Sequence, residues 1–162
     1  MRDKSWKADP RSEEVAALPT KRQLIRLSNE WLAIIPSEMN DEPALKLLSM
    51  SRRLFVHSWY DYEFLAVAMT ICFQALEAAF RRLYLDASDR VPFKALVNRL
   101  EDEVGMPSEI VAAGYSAVEI RNLLSHPLGI ARTSFADAAV TLEGTHRYVA
   151  YLITMAYARE SA

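Results

Sequence analysis

The sequence predicts an all-α protein, an up-and-down helical bundle of four to six helices. Hydrophobic residues recur every three or four positions along most of the 162-residue chain, as on helices buried on one side. Four glycines are too few for the frequent turns of an all-β protein or the glycine-rich loop of a Rossmann fold. We therefore expect residues 20–162 to form one helical-bundle domain, preceded by a loose N-terminal segment, 1–19.

The first two helices carry recognisable start signals. Thr20 is a side-chain cap for a first helix that Pro36 ends. The triplet Asp41-Glu42-Pro43 predicts the start of a second, because proline at the first helical position gives up an N–H that has no partner there. This second helix either breaks near Tyr60-Asp61 or runs on into the third. The residues expected to be buried are Leu24, Leu27, Trp31, Ile35, Leu45, Leu48, Phe55 and Trp59.

The remaining helices follow from apolar spacing and from proline and glycine positions. The third, about 62–86, is the longest and most apolar; the fourth begins at 89–92 and Gly105 closes it. Pro107 opens a fifth that runs to His126, since the residue before Pro127 is pushed out of the α region. Ser134 and Asp137 resemble a capping box for the last helix. The expected core comprises Leu65, Met69, Cys72, Leu76, Phe80, Leu83, Phe93, Leu96, Val97, Leu100, Val104, Phe135, Ala139, Leu142, Val149, Leu152, Ile153 and Ala156.

Composition narrows the function classes. A net charge of −2 excludes a strongly basic protein that coats nucleic acid, but not an enzyme that binds a few phosphates locally. The single cysteine, Cys72, cannot form an internal disulfide or a cysteine-based metal site. The polar N-terminus predicts no export signal, and the apolar run 64–73 is too short to span a bilayer. We expect a cytoplasmic protein with no membrane association, no metal and no cofactor.

One motif carries chemistry. In Arg121-Asn122-Leu123-Leu124-Ser125-His126, an arginine and a histidine stand five positions apart at the end of the fifth helix. An arginine can hold a phosphate, and an imidazole can transfer a proton near neutral pH, so the pair suits RNA cleavage without a metal. The spacing alone is weak, because Arg52 and His57 share it. The adjacent Asn122 and the helix end at Pro127 set Arg121–His126 apart.

Three segments of residues 50–155 resemble the HEPN superfamily, whose members are bundles of four or five helices. They are SRRLFVHSWYDYEFLAVAMTICFQALEAAFRRLY, the short helix FKALVNRLEDEVG, and RNLLSHP, which is similar to the family's R-x(4–6)-H motif. The resemblance implies a metal-independent endoribonuclease acting on RNA. Its arginine and histidine come together at the interface of a homodimer, and the family includes toxins with antitoxin partners and antiviral effectors.

Carried over to this chain, the resemblance gives each motif residue a role. Arg121 would bind the scissile phosphate, His126 would transfer the proton, and Asn122 would orient the histidine or donate to the phosphate. Some family toxins carry a tyrosine two residues after the histidine, which the antitoxin modifies; Leu128 occupies that position, which argues against such a mechanism. In the alternative interpretation, Arg121 pairs with Glu77 or Glu119, His126 caps its helix, and the protein is a non-catalytic module that binds a nucleotide or a protein partner.

Two other polar residues, Glu77 and His146, lie on helix faces that suit either a functional or a packing role. Glu77 lies on a stripe with Thr70, Gln74 and Arg81, and either supports the site by orienting Arg121 or forms an i, i+4 pair with Arg81 on a solvated face. We favour the latter. His146 falls on the apolar stripe of the last helix and is expected to be a core residue.

The aromatic residues near His57 can stack on bases, but cores and interfaces use the same residues, so we favour a packing role. Tyr148, Tyr151 and Met155 predict a second apolar patch on the last helix, suited to a subunit contact.

Overall fold

The computed structural model describes residues 19–36, 42–84, 91–104, 106–124 and 134–161, and within these ranges every regular element is a helix. In chain order they are α1 Lys21–Leu32, α2 Pro43–His57, α3 Glu63–Leu83, α4 Phe93–Val104, α5 Ser108–Leu124 and α6 Phe135–Glu160. The all-α bundle expected from the sequence is confirmed. The predicted loose segment 1–19 lies outside the described residues, with the exception of Pro19. Asp86, Asp89 and Gly105, which were expected at helix ends, also lie outside them.

The helix start signals act as the sequence indicates. Thr20 caps α1 in a complete capping box with Gln23, and Pro43 occupies the first turn of α2. The Ser134 hydroxyl accepts a hydrogen bond from the Asp137 N–H at 3.0 Å and caps α6. The open question between α2 and α3 is decided in favour of a break, at residues 58–62. There the Asp61 carboxylate accepts the Glu63 N–H at 3.0 Å.

The core lies between α3 and its neighbours α2 and α6. α3 buries eleven of its 21 side chains, and its length and apolar composition would allow it to cross a membrane, although the core helix of a soluble protein has the same composition. This apolar stretch is longer than the run 64–73 considered above. Of the residues expected to be buried, Leu27, Ile35, Trp59 and Ala139 are half-buried, and the side chains of Leu100 and Val104 lie outside the description; the others are buried.

Contacts at both ends of α3 fix the directions of its neighbours. Tyr62 packs on Phe135, with ring centroids 5.6 Å apart, whereas Arg82 at the other end pairs with Glu160, so α6 runs parallel to α3. The Ser51 hydroxyl donates to the Ala68 carbonyl at 2.7 Å, as expected for the antiparallel pair α2–α3.

Close contacts place α5 against α3 and α4. At Gly114 an added Cβ would lie 3.1 Å from Phe80, which places the middle of α5 beside the C-terminal half of α3. The same Cβ would lie 2.8 Å from Val97, and the Tyr115 hydroxyl donates to the Asn98 side chain at 2.9 Å, so α5 also packs against α4.

Candidate functional site

The motif residues occupy the last turn of α5 and the segment after it. Asn122 is exposed. The backbone of Arg121 is helical, but its side chain and the whole of His126 lie outside the described residues. α5 is helical through Leu124, so Arg121 and Asn122 share the final turn and His126 follows two residues later.

Glu77 lies on α3 and pairs with Arg81, the i, i+4 partner favoured for it from the sequence. Arg81 donates to the Glu77 carboxylate from Nη2 at 2.6 Å and from Nε at 3.2 Å, and also to the Val91 carbonyl at 3.0 Å. Both side chains are mostly buried, with 22% and 19% exposed. The pair thus ties α3 to the beginning of α4. A role for Glu77 towards Arg121 stays a prediction, because the Arg121 side chain is not described.

A buried arginine–histidine pair joins α2 to α6. Arg52 Nη1 lies 3.3 Å from His146 Nε2, and His146 Nδ1 lies 2.6 Å from the Leu142 carbonyl. A carbonyl only accepts and a guanidinium only donates, so the imidazole is the neutral Nδ1–H tautomer. Trp31 covers the imidazole, with ring centroids 5.7 Å apart. His146 is fully buried, as the sequence predicts for a core residue.

Burial controls the protonation of this pair. The pKa of His146 is lowered to about 4, because desolvation, together with the nearby Arg52, outweighs the raising effect of the hydrogen bond to the Leu142 carbonyl. Desolvation also lowers the pKa of Arg52. Among the residues that the structure describes, Arg52 forms no salt bridge. A guanidinium with 7% exposure therefore relies on a neutral imidazole and on its remaining contact with solvent.

Cys72 lies next to the pair and is chemically inert in the folded state. Desolvation raises the pKa of its thiol to about 12, and the Ser51 and Thr145 side chains and Arg52 only partly oppose the shift. A thiol with such a pKa is not a nucleophile at neutral pH. Since both nitrogens of His146 are also occupied, the cluster of Arg52, His146 and Cys72 is a packing element and not a reaction centre.

The pairing of Arg52 with His146 was not visible in the sequence. The two residues are 94 positions apart, and the sequence offered Arg52–His57 instead. In the structure, these two side chains diverge, since Arg52 points into the core and His57 is exposed. Contact between Arg52 and His146 could be predicted only once the packing of α2 against α6 is known, because His146 lies on the apolar face of a different helix.

His57 belongs to a group of rings where α2 ends and α3 begins. Its ring centroid lies 6.3 Å from that of Tyr60 and 6.4 Å from that of Phe64. Lys21, at the start of α1, donates to the Tyr60 hydroxyl and lies over its ring, 4.8 Å from the centroid. Phe64 is 38% exposed.

The second apolar patch predicted on α6 is smaller than expected, because Tyr148 and Met155 pack against the core and Tyr151 alone of the three is exposed.

Within the described ranges, no group of three or more histidine, cysteine, aspartate or glutamate side chains is placed to hold a metal ion. Comparisons with protein-family models, with curated proteins and with solved structures give no match to this chain. The function must therefore be argued from its own residues.

Proposed function

We propose that this protein is a metal-independent endoribonuclease of HEPN type, acting as a toxin or as an antiviral or stress effector. One observation supports this more than any other. α5 stays helical through Leu124, so Arg121 and Asn122 occupy its last turn and His126 follows the turn at once. An arginine, an amide and an imidazole are thereby kept close in the chain at the end of a helix, where a substrate has access to the exposed Asn122.

The proposed reaction is an internal transesterification. His126 takes the proton of a ribose 2′-hydroxyl, whose oxygen attacks the adjacent phosphorus. The bond from phosphorus to the 5′-oxygen breaks as that oxygen takes a proton from a water molecule, and His126 then returns the proton it removed to the hydroxide left behind. The products carry a 2′,3′-cyclic phosphate and a 5′-hydroxyl. Arg121 binds the phosphate and stabilises the charge that develops on its oxygens, while Asn122 orients the imidazole or donates to the phosphate.

The C-terminal end of α5 favours this chemistry. The unpaired carbonyls of a last helical turn carry partial negative charge, which stabilises a nearby imidazolium and opposes its early deprotonation. A histidine directly after such a turn is therefore able to act as an acid as well as a base near pH 7.

Cleavage is the direct test. Purified protein incubated with total RNA in EDTA should produce fragments with cyclic phosphate ends, and His126→Ala should abolish the activity while its far-UV circular dichroism is unchanged. Arg121→Ala should lower the rate by roughly a hundredfold or more, as for removal of a donor to a developing oxyanion. Arg147→Ala is the matched control, because Arg147 is exposed on α6 and pairs with Glu143 at 2.8 Å.

The outcomes separate the alternatives. Inactive wild-type protein on several RNAs, or a fully active His126→Ala variant, refutes the proposed chemistry and leaves the non-catalytic module that binds a nucleotide or a protein. A homodimer is part of the proposal, with Arg121 and His126 near the two-fold axis and with an antitoxin as a further partner. A monomer by light scattering at micromolar concentration contradicts that composite site.

A further inference from the structure

We propose that the outer face of the α2–α3 pair is the surface through which two copies of this chain associate. The face carries two apolar stripes with the same spacing, i, i+3, i+7, one on each helix. The stripes, called the twin stripes below, consist of Leu47, Met50 and Leu54 on α2 and Phe64, Val67 and Ile71 on α3. They include none of the motif residues, so the inference goes beyond the proposed function and does not depend on RNA cleavage.

The twin stripes keep apolar surface in contact with solvent. Met50, Phe64 and Val67 are 48%, 38% and 44% exposed, and the other three side chains are half-buried. His57 continues the α2 stripe by one step, and its ring centroid lies 6.4 Å from that of Phe64, so the two stripes adjoin at this end. Clustered exposure of this kind marks an interaction surface, whereas scattered apolar side chains do not.

A hydrogen bond fixes the register of α2 against α3. The Ser51 hydroxyl donates to the Ala68 carbonyl, so these two residues stand level in the antiparallel pair. Each step forward along α2 is therefore a step back along α3. Leu54, Met50 and Leu47 stand level with about positions 65, 69 and 72 of α3, so each lies within two residues, roughly 3 Å along the helix, of a member of the α3 stripe.

This register makes the face complementary to itself. A two-fold axis that runs along the helix pair, between the stripes, exchanges the two sides of the face and keeps every residue at its height. α2 of one copy then packs antiparallel on α3 of the other, as in the layers of a four-helix bundle. The layers across the interface are Leu54 on Phe64, Met50 on Val67, and Leu47 on Ile71. A patch that matches itself under a two-fold axis is the pattern of an isologous dimer, so the occupant is a second copy of this chain.

The charges at the edges of the face follow the same symmetry. Arg53 is exposed two positions after Ser51, which turns it to the outer edge of α2, and Glu63 is exposed five positions before Ala68, which turns it to the outer edge of α3. The two-fold axis brings the Arg53 edge of one copy over the Glu63 edge of the other. The two residues then differ in height by about three residues, roughly 4.5 Å, which an arginine side chain can bridge. Packing α2 on α2 would instead bring the two Arg53 edges together, so the charges favour α2 on α3.

A charge placed inside the stripes tests the surface. The wild type should be a dimer by light scattering at micromolar concentration, and Val67→Glu should raise the dimer Kd, measured by sedimentation equilibrium, roughly a hundredfold or more. The reason is that each interface would bury two carboxylates without partners. Val140→Glu is the matched control, because Val140 is 74% exposed on α6, outside the face, and its replacement should leave the Kd unchanged. Far-UV circular dichroism verifies that both variants are folded.

A charge exchange tests the register. Arg53→Glu and Glu63→Arg should each raise the dimer Kd roughly tenfold, since like charges then meet twice across the two-fold axis. Mixed in equal amounts, the two variant chains should form a dimer about as stable as that of the wild type, because both contacts of the mixed dimer regain opposite charges. A role of either residue within its own chain would not be rescued by mixing.

Every outcome decides for or against the surface. A monomeric wild type overturns it, and so does a Val67→Glu variant with the Kd of the control; in the second case the homodimer of the proposed function uses another face and still stands. Weakened Val67→Glu dimers without rescue in the mixture overturn the packing of α2 on α3. Cleavage of total RNA is measured separately, so a wild-type dimer that Val67→Glu disrupts, but that cleaves no RNA, supports the surface and refutes the ribonuclease.

Discussion

The protonation of His146 makes the stability of this protein depend on pH in a calculable way. In the folded state, burial beside Arg52 holds the pKa of His146 at about 4, whereas an unfolded chain has the ordinary value of 6.5. Between these values the unfolded chain binds a proton that the folded protein does not. Folding is therefore opposed increasingly as the pH falls from 6.5 to about 4. At 1.36 kcal/mol per pKa unit, the loss amounts to about 3 kcal/mol.

His146→Gln removes this titration while keeping the hydrogen bonds. The amide oxygen of a glutamine can accept from Arg52, and its N–H₂ can donate to the Leu142 carbonyl. The free energy of unfolding is measured by urea titration with circular dichroism between pH 4 and pH 8. From pH 8 to pH 4, the wild type should lose about 3 kcal/mol more than His146→Gln.

His57→Gln is the control, since His57 is exposed and its replacement leaves the Arg52–His146 pair intact. This variant should follow the wild-type curve. If the wild type and His146→Gln lose stability in parallel from pH 7 to pH 4, the neutral buried imidazole inferred from the geometry is wrong. A glutamine variant that is unfolded at every pH is replaced by His146→Asn or His146→Met, for which the same flatter pH dependence is expected.

Two further pairs of variants test the packing. Gly114→Ala should lower the free energy of unfolding by about 1–3 kcal/mol relative to Gly144→Ala, because a Cβ at Gly114 would meet a Val97 methyl at 2.8 Å, whereas at Gly144 its nearest neighbour is 3.8 Å away. Gly144→Ala itself should stabilise by up to about 1 kcal/mol through helix propensity; equal effects at both glycines in urea unfolding would show that α4 yields freely. Arg82→Met should cost about 1–3 kcal/mol, since Arg82 donates to Glu160 at 2.6 and 2.7 Å and to Glu42 at 3.2 Å. Its control Arg147→Met, at an exposed i, i+4 pair, should cost at most about 0.5 kcal/mol, and similar losses for the two would contradict the bridging role of Arg82.

The bridging role of Arg82 between α2 and α6 could not be predicted from the sequence. Arg82 connects the start of α2 to the end of α6 through carboxylates 40 and 78 positions away, and hydrogen bonds to Glu160 and Glu42 raise its pKa. In the sequence it is one of two adjacent arginines at the end of an apolar helix. Only the parallel course of α3 and α6 makes Glu160 its partner.

Local signals were sufficient for the helices and for most of the core. These signals act between residues three or four positions apart, so they can be predicted from the sequence alone. They are the caps Thr20 and Ser134, the proline at the start of α2 and the apolar spacing of α3. His146 was likewise placed in the core by the stripe on which it lies. Trp59 was expected on α2 but falls in the turn after the helix, where it is half-buried, because periodicity does not mark the residue at which a helix stops.

By itself, then, the sequence determined the all-α class, the order of the helices and the Arg121–His126 motif with its proposed chemistry. The tertiary structure decided which distant residues meet. It paired Arg52 with His146 and set Gly114 against Phe80. The physical reason is range: helix propensity and capping depend on near neighbours in the chain, whereas burial, desolvation and the direction in which a helix runs depend on how all the helices pack together.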